Sequence, residues 1–222
     1  AVPSQGASVA GYVEGLAVSP SGYVWFQWKN WSETVDKPYE YLSFSQQSDG
    51  SWITYGGYPK NVSTQFPPFE SSEDVNGQIV SLGDANAYSI VSNRFQKIQA
   101  RKILNHVLQP RENITTYPAY TTYQFSVASY NNHIYMAYRV NFTVTPPQIR
   151  YRFRNGTSET WVDEEQVTTN IYSPPTWSHD TKSYSAITYD ISNNKILIDW
   201  WNYVKPSTIN YDYSASALWI RV

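Results

Sequence analysis

The sequence predicts an all-β chain: an antiparallel β-sandwich of Ig-like or related type, with an extended N-terminal donor strand and one candidate short helix. Strand-like runs fill most of the 222 positions. Dipeptides of Asn, Asp and Gly, which tolerate the positive φ of tight hairpin turns, separate those runs. The chain also carries 20 Tyr, 9 Trp and 8 Phe, residues that suit a pleated, half-buried surface.

The elements follow in order. In Ala1–Val18, period-two alternation places Ala7, Val9, Gly11, Val13, Gly15 and Ala17 on one slim apolar face. Tyr23–Trp31 reads as a strand, followed by a hairpin of Tyr39–Gln47 and Ser51–Tyr58 around Asp49-Gly50. Gln78–Leu82 adds a strand. Asn93–Leu108 departs from the pattern, because Phe95, Ile98, Ile103, Leu104, Val107 and Leu108 partly fit helical spacing; a short helix or two strands both satisfy it. Further hairpins join Tyr123–Tyr130 to His133–Val144 at Asn131-Asn132 and Ile149–Arg154 to Thr160–Val162 at Asn155-Gly156. Another joins Ser185–Ile191 to Lys195–Tyr203 at Asn193-Asn194, and Ala215–Val222 closes the chain as a strand. Pro67-Pro68 and Pro174-Pro175 interrupt pairing and mark loops. No composition break divides the body, so the expected organisation is an extension over 1–18 and a single sandwich domain over 19–222.

Composition narrows the function classes. Charged residues are 15% of the chain, against about 25% in ordinary soluble domains, so surface polarity falls to Ser, Thr, Asn, Gln and Tyr. With a net charge of -2 and no basic stripe, there is no electrostatic case for nucleic acid. The absence of cysteine removes disulfides, thiol catalysis and thiolate metal sites. No run approaches the roughly 18–20 apolar residues of a membrane span. Position 1 is Ala and the single methionine is Met136, which fits an exported chain whose signal peptide has been removed. The expected location is extracellular, at the cell surface. Asn30, Asn61, Asn113, Asn141 and Asn155 each begin an Asn-x-Ser/Thr acceptor for a covalent N-glycan.

Each candidate for chemistry has a plainer reading beside it. Trp25, Trp28, Trp31, Trp200, Trp201 and Trp219 are candidates for a sugar-stacking platform, but strands also use such residues for packing. The acidic groups Glu70, Glu73, Asp74 and Asp163, Glu164, Glu165 offer paired carboxylates for glycoside hydrolysis, or solvated charge in loops. They lack the alternating Asp spacing of a calcium loop. His106, His133 and His179 are far apart in sequence and form no metal-spaced pair. His179-Asp180 has no Gly-x-Ser-x-Gly elbow to serve. No catalytic, metal or cofactor site is predicted, and no glycine loop cradles a phosphate.

The whole-chain pattern combines the Ala1–Val18 tail, a cysteine-free body, low charge, richness in Tyr, Asn, Ser and Thr, and five sequons. In this it resembles the secreted, glycosylated thread-type filament subunits of Sulfolobus-type archaea. That resemblance implies a β-sandwich subunit that donates its N-terminal strand to an identical neighbour, with Ala7, Val9, Gly11 and Val13 filling the groove. A head-to-tail contact of this kind does not close and builds a filament. The expected function is therefore a structural, non-enzymatic subunit of a surface homopolymer. The alternatives are a secreted carbohydrate-binding module or lectin using exposed aromatics, and a secreted acid hydrolase.

Overall fold

The computed structural model describes residues 10–31, 39–48, 51–62, 75–93, 98–115, 121–142, 145–167, 185–204 and 212–221. All regular structure among them is antiparallel β, with no helix. The chain divides into two compact units: Ala1–Asn93 with Lys97–Thr116, and Arg94–Gln96 with Tyr117–Val222.

The first unit holds two sheets. Strands β1 (Ala10–Val18), β2 (Val24–Trp31), β3 (Tyr39–Ser48) and β4 (Ser51–Thr54) lie in that order, with β5 (Lys60–Asn61) also paired to β3. The second sheet is the meander β6 (Val75–Ser81), β7 (Ala87–Asn93), β8 (Gln99–Leu104) and β9 (Val107–Asn113). Trp25, Leu42 and Phe44 of the first sheet and Val62, just after β5, pack with Ile79, Ala87 and Ile103 from the second. Gln27 is fully buried in this seam: its carbonyl accepts from Ser89 Oγ at 2.9 Å, and its amide donates to the Ile90 carbonyl at 3.3 Å. Both polar ends are thus satisfied, as burial demands.

Arg101 ties the same sheets together. It is buried, with Nε donating to the Gln109 carbonyl at 3.1 Å and Nη1 to the Val62 carbonyl at 3.2 Å. Burial, then the charge of Arg111, holds its pKa below the usual guanidinium value. Arg101→Ala is expected to cost about 2–3 kcal/mol, because two carbonyls lose a charged donor. Urea denaturation of the variant measures that loss; a midpoint equal to wild type would exclude a role in holding the sheets.

The segment Asn93–Leu108 is not helical among its described residues. β8 and β9 form a hairpin whose turn residues, Asn105 and His106, have φ of 48° and 64°. Paired positive φ is what a two-residue turn between right-twisted strands requires. Ile103 faces the core while Leu104 and Val107 flank the turn in exposed positions, so the apparent helical spacing spans two strands.

The second unit also holds two sheets. β10 (Thr121–Tyr130), β11 (His133–Phe142), β12 (Thr145–Arg154) and β13 (Glu165–Gln166) form one; β14 (Ser185–Asp190), β15 (Lys195–Val204) and β16 (Asp212–Arg221) form the other. Tyr135, Ala137, Ile149 and Tyr151 pack against Ile187, Ile196, Ile198 and Trp200. The Asn131-Asn132 turn has φ of 48° and 63°, as its sequence predicts. Asn155-Gly156 works differently, since the positive φ falls on Glu159. Gly156 is required by space: a Cβ there would lie 2.5 Å from the Asn132 carbonyl oxygen.

Asp190 caps the β14–β15 turn, accepting from the Ser192 and Asn193 backbone amides and from both side chains. These bonds, those of the Ser192 and Asn193 side chains foremost, lower its pKa to about 2. A depressed carboxylate pKa stabilises the fold fully above the ordinary carboxylate range and loses that contribution as pH falls through about 2. An NMR titration of Asp190 is expected to show it still ionised at about pH 3; a midpoint near 4 would remove this cap from the acid tolerance of the turn.

Candidate functional site

Two surfaces of the first unit stand out, and the first begins with β1. Its register against β2 runs Val13 opposite Trp28, then Gly15 opposite Gln27, so Glu14 is an extra, bulged residue. The bulge breaks the simple alternation of the sequence. Gly15 and Ala17 turn toward the core, whereas Val13 joins Leu16 and Val18 on the outer face. Val13, Leu16 and Val18 are 51%, 58% and 59% exposed. Phe26 lies on the same face, opposite Leu16, and its ring meets exposed Trp52 edge-on at 5.4 Å. Trp28 is also on this face but buried, stacked on Tyr41 at 4.8 Å with its indole N–H donated to Ser43 Oγ. The result is a largely apolar outer face ending at β1, an edge strand of its sheet.

The inner side of β1 is equally specific. A Cβ on Gly15 would stand 2.8 Å from the Ile79 amide nitrogen and 2.9 Å from Gln78 Cα. A Cβ on Gly77 would meet the Gln27 amide and the Glu14 carboxylate. Small residues here let β1 lie directly against β6.

The second surface is an aromatic cluster at one end of the same core. Tyr55-Gly56-Gly57-Tyr58 turns tightly, with Gly57 at φ 83° and the Tyr58 amide donating to the Tyr55 carbonyl. This turn presents Tyr55 and Tyr58 beside Tyr23 and the β8–β9 turn residue His106. The His106 imidazole stacks on Tyr55 at 4.3 Å with 17° between planes. Its Nδ1 lies 3.3 Å from Tyr58 Oη. Lys60 Nζ sits 4.9 Å above the Tyr58 ring. Buried Phe44 and Trp25 floor the cluster. Burial and then the Lys60 charge lower the His106 pKa, so the ring is neutral at neutral pH. Burial and then Tyr55 push the Tyr58 phenol up, so it keeps its proton. The Tyr58 hydroxyl and Nδ1 share this hydrogen bond, with the donor set by the imidazole tautomer.

The residues singled out from sequence are distributed as follows. Trp25, Trp28 and Trp200 are buried and offer no open stacking face; the side chains of Trp31, Trp201 and Trp219 lie outside those described. Glu164 is engaged by the phenol of buried Tyr138, whose pKa is raised by burial and then by the Glu164 charge. Glu70, Glu73, Asp74, His179 and Asp180 lie outside the described residues. His133 Nδ1 accepts the Gly156 amide at 3.1 Å and its ring stacks on Phe153. No group of three His, Cys, Asp or Glu among the described residues is placed to hold a metal.

Of the four residues expected to fill a neighbour's groove, Gly11 and Val13 pair with Asn30 and Trp28 of their own chain. Ala7 and Val9 lie outside the described residues. Among the sequon asparagines, Asn113 is exposed at the end of β9 and Asn61 is half-buried. Asn155 is half-buried too, and its Oδ1 accepts the amides of Thr157 and Ser158. The side chains of Asn30 and Asn141 lie outside those described. The Tyr55–His106 cluster was not read from sequence. Two tyrosines flanking Gly56-Gly57, followed by Pro59-Lys60, are its local signal.

No protein-family model matches the chain, and no curated protein sequence matches it. Among solved structures, the chain is similar to a Penicillium chrysogenum alpha-L-arabinanase complexed with arabinobiose, at 14% identity and TM-score 0.46, covering 87% of this chain and 60% of that one. It is also similar to the GH93 alpha-L-arabinofuranosidase of Fusarium graminearum with arabinobiose, at 12% identity and TM-score 0.47, covering 96% and 64%. The chain thus spans less than two thirds of either enzyme's length. Similarity at this level assigns no residue of the chain a catalytic role.

Proposed function

We propose that this chain is a structural subunit of an extracellular, glycosylated homopolymer, assembled through the outer face and edge of β1. The observation that carries the reading is the exposed row of Val13, Leu16 and Val18 on an edge strand, continued by Phe26 and Trp52. Edge strands of this composition are normally blunted by charge, proline or cover. The occupant is a second copy of the chain. An extended segment from a neighbour adds main-chain hydrogen bonds along the edge and apolar contacts over the face. Ala1–Val9, which carries Ala7 and Val9, is the segment assigned to that role, because Ala10–Val18 is already paired with β2. Covering one exposed valine or leucine contributes about 1.5–3 kcal/mol at full burial, so three together make a persistent joint.

A non-enzymatic role is supported by the engagement of Glu164, His106 and His133 in packing and hydrogen bonds. The low charge and the sequons support a surface exposed to a harsh exterior. Sedimentation velocity of the full chain and of a chain starting at Ala10 tests the segment directly. The full chain is expected to grow in mass with concentration while the shortened chain stays monomeric. Equal behaviour of the two would overturn the assignment of Ala1–Val9.

A further inference from the structure

We propose that the Tyr23–Tyr55–Tyr58–His106 cluster with Lys60 is a binding site for an acidic saccharide, separate from the face that joins subunits. Tyr55 is the exposed ring of the cluster, at 43%, while Tyr23, Tyr58 and His106 are half-buried. It is held from behind by stacking on His106 and edge contacts to Tyr23, Phe44 and Tyr58. A tyrosine so fixed loses little freedom when the apolar C–H face of a sugar ring settles on it. Polar groups border it: the Tyr58 phenol, the His106 imidazole and the Lys60 ammonium. The site therefore joins an apolar platform to donors and one positive charge, and no carboxylate is among the described groups facing it. A uronic acid ring fits that combination, with its ring carbons on Tyr55 and its carboxylate toward Lys60.

A second observation points the same way. His106 occupies a left-handed turn position, φ 64°, where glycine or asparagine is the ordinary choice. The imidazole at this position is what closes the cluster across the two sheets, linking the β8–β9 turn to Tyr55 and Tyr58.

Isothermal titration of the full chain with tetragalacturonate, mannotetraose and polyglutamate tests the site. Tetragalacturonate is expected to bind. Tyr55→Ala and Lys60→Gln are each expected to weaken it about tenfold, the loss of one stacking or charged contact. Tyr55→Phe, which keeps the ring, and Trp52→Ala, on the subunit-joining face, are expected to bind as wild type does. No binding of tetragalacturonate at millimolar concentration would overturn the proposal, as would unchanged binding by Tyr55→Ala. Equal binding of polyglutamate would reduce the site to charge alone and overturn the saccharide assignment. Mannotetraose binding as tightly as tetragalacturonate would overturn the role of Lys60.

Discussion

Trp25→Ala is expected to destabilise the first unit by about 3–5 kcal/mol, the range for removing a fully buried large aromatic. Trp25 is 0% exposed and sits where both sheets and the aromatic cluster meet. Its ring lies 4.1 Å from Phe44, 5.9 Å from Tyr58 and 6.1 Å from His106. Removing it leaves a cavity that two hydrogen-bonded sheets cannot collapse to fill, which places the cost toward the upper end. Guanidinium denaturation followed by far-ultraviolet circular dichroism reads the loss. A change below about 1 kcal/mol would mean that Trp25 is not central to the core.

Gly15→Val is expected to cost about 3 kcal/mol, although valine is a far better strand former than glycine. Propensity and packing oppose each other here, and packing decides the sign. The atoms that a Cβ would meet, the Ile79 amide nitrogen and Gln78 Cα, belong to the backbone of β6 and cannot rotate away. Either β1 lifts from β6 or the Glu14 bulge is redistributed, and both disturb the seam held by Gln27. Gly56→Val is the matched control, because nothing stands within 4 Å of a Cβ there and its φ is not left-handed. Thermal melts that rank Gly15→Val at or above wild type would show that the close approach of β1 to β6 is not maintained.

Much of the β architecture was legible, for local reasons. Asn131-Asn132 marks its hairpin because two successive positive-φ residues satisfy a tight turn. The same backbone at Asn105-His106 was obscured, because histidine is an uncommon turn signal and the flanking Ile103, Leu104, Val107 and Leu108 imitate helical spacing across the turn. The bulge at Glu14 was invisible to alternation, which assumes an unbroken ladder, so Val13 was expected on the face of Gly15 rather than beside Leu16.

The aromatic residues show why a site is harder to read than a strand. Trp25 and Trp28 have the composition of a binding platform but are buried in packing. Exposed Tyr55 and half-buried His106 are 51 positions apart and meet only because the β4–β5 connection and the β8–β9 turn reach the same end of the core. Proximity of that kind depends on long-range pairing, which no local pattern encodes.

The most direct measurement is negative-stain electron microscopy of the full chain beside Leu16→Asp, with thermal melts confirming that both are folded. Leu16 is exposed and opposite Phe26, so the charge falls on the proposed joint without entering the core. Fibres from the full chain and dispersed single particles from Leu16→Asp are the predicted result. Single particles from the full chain at every concentration, or equally long fibres from Leu16→Asp, would contradict assembly through β1.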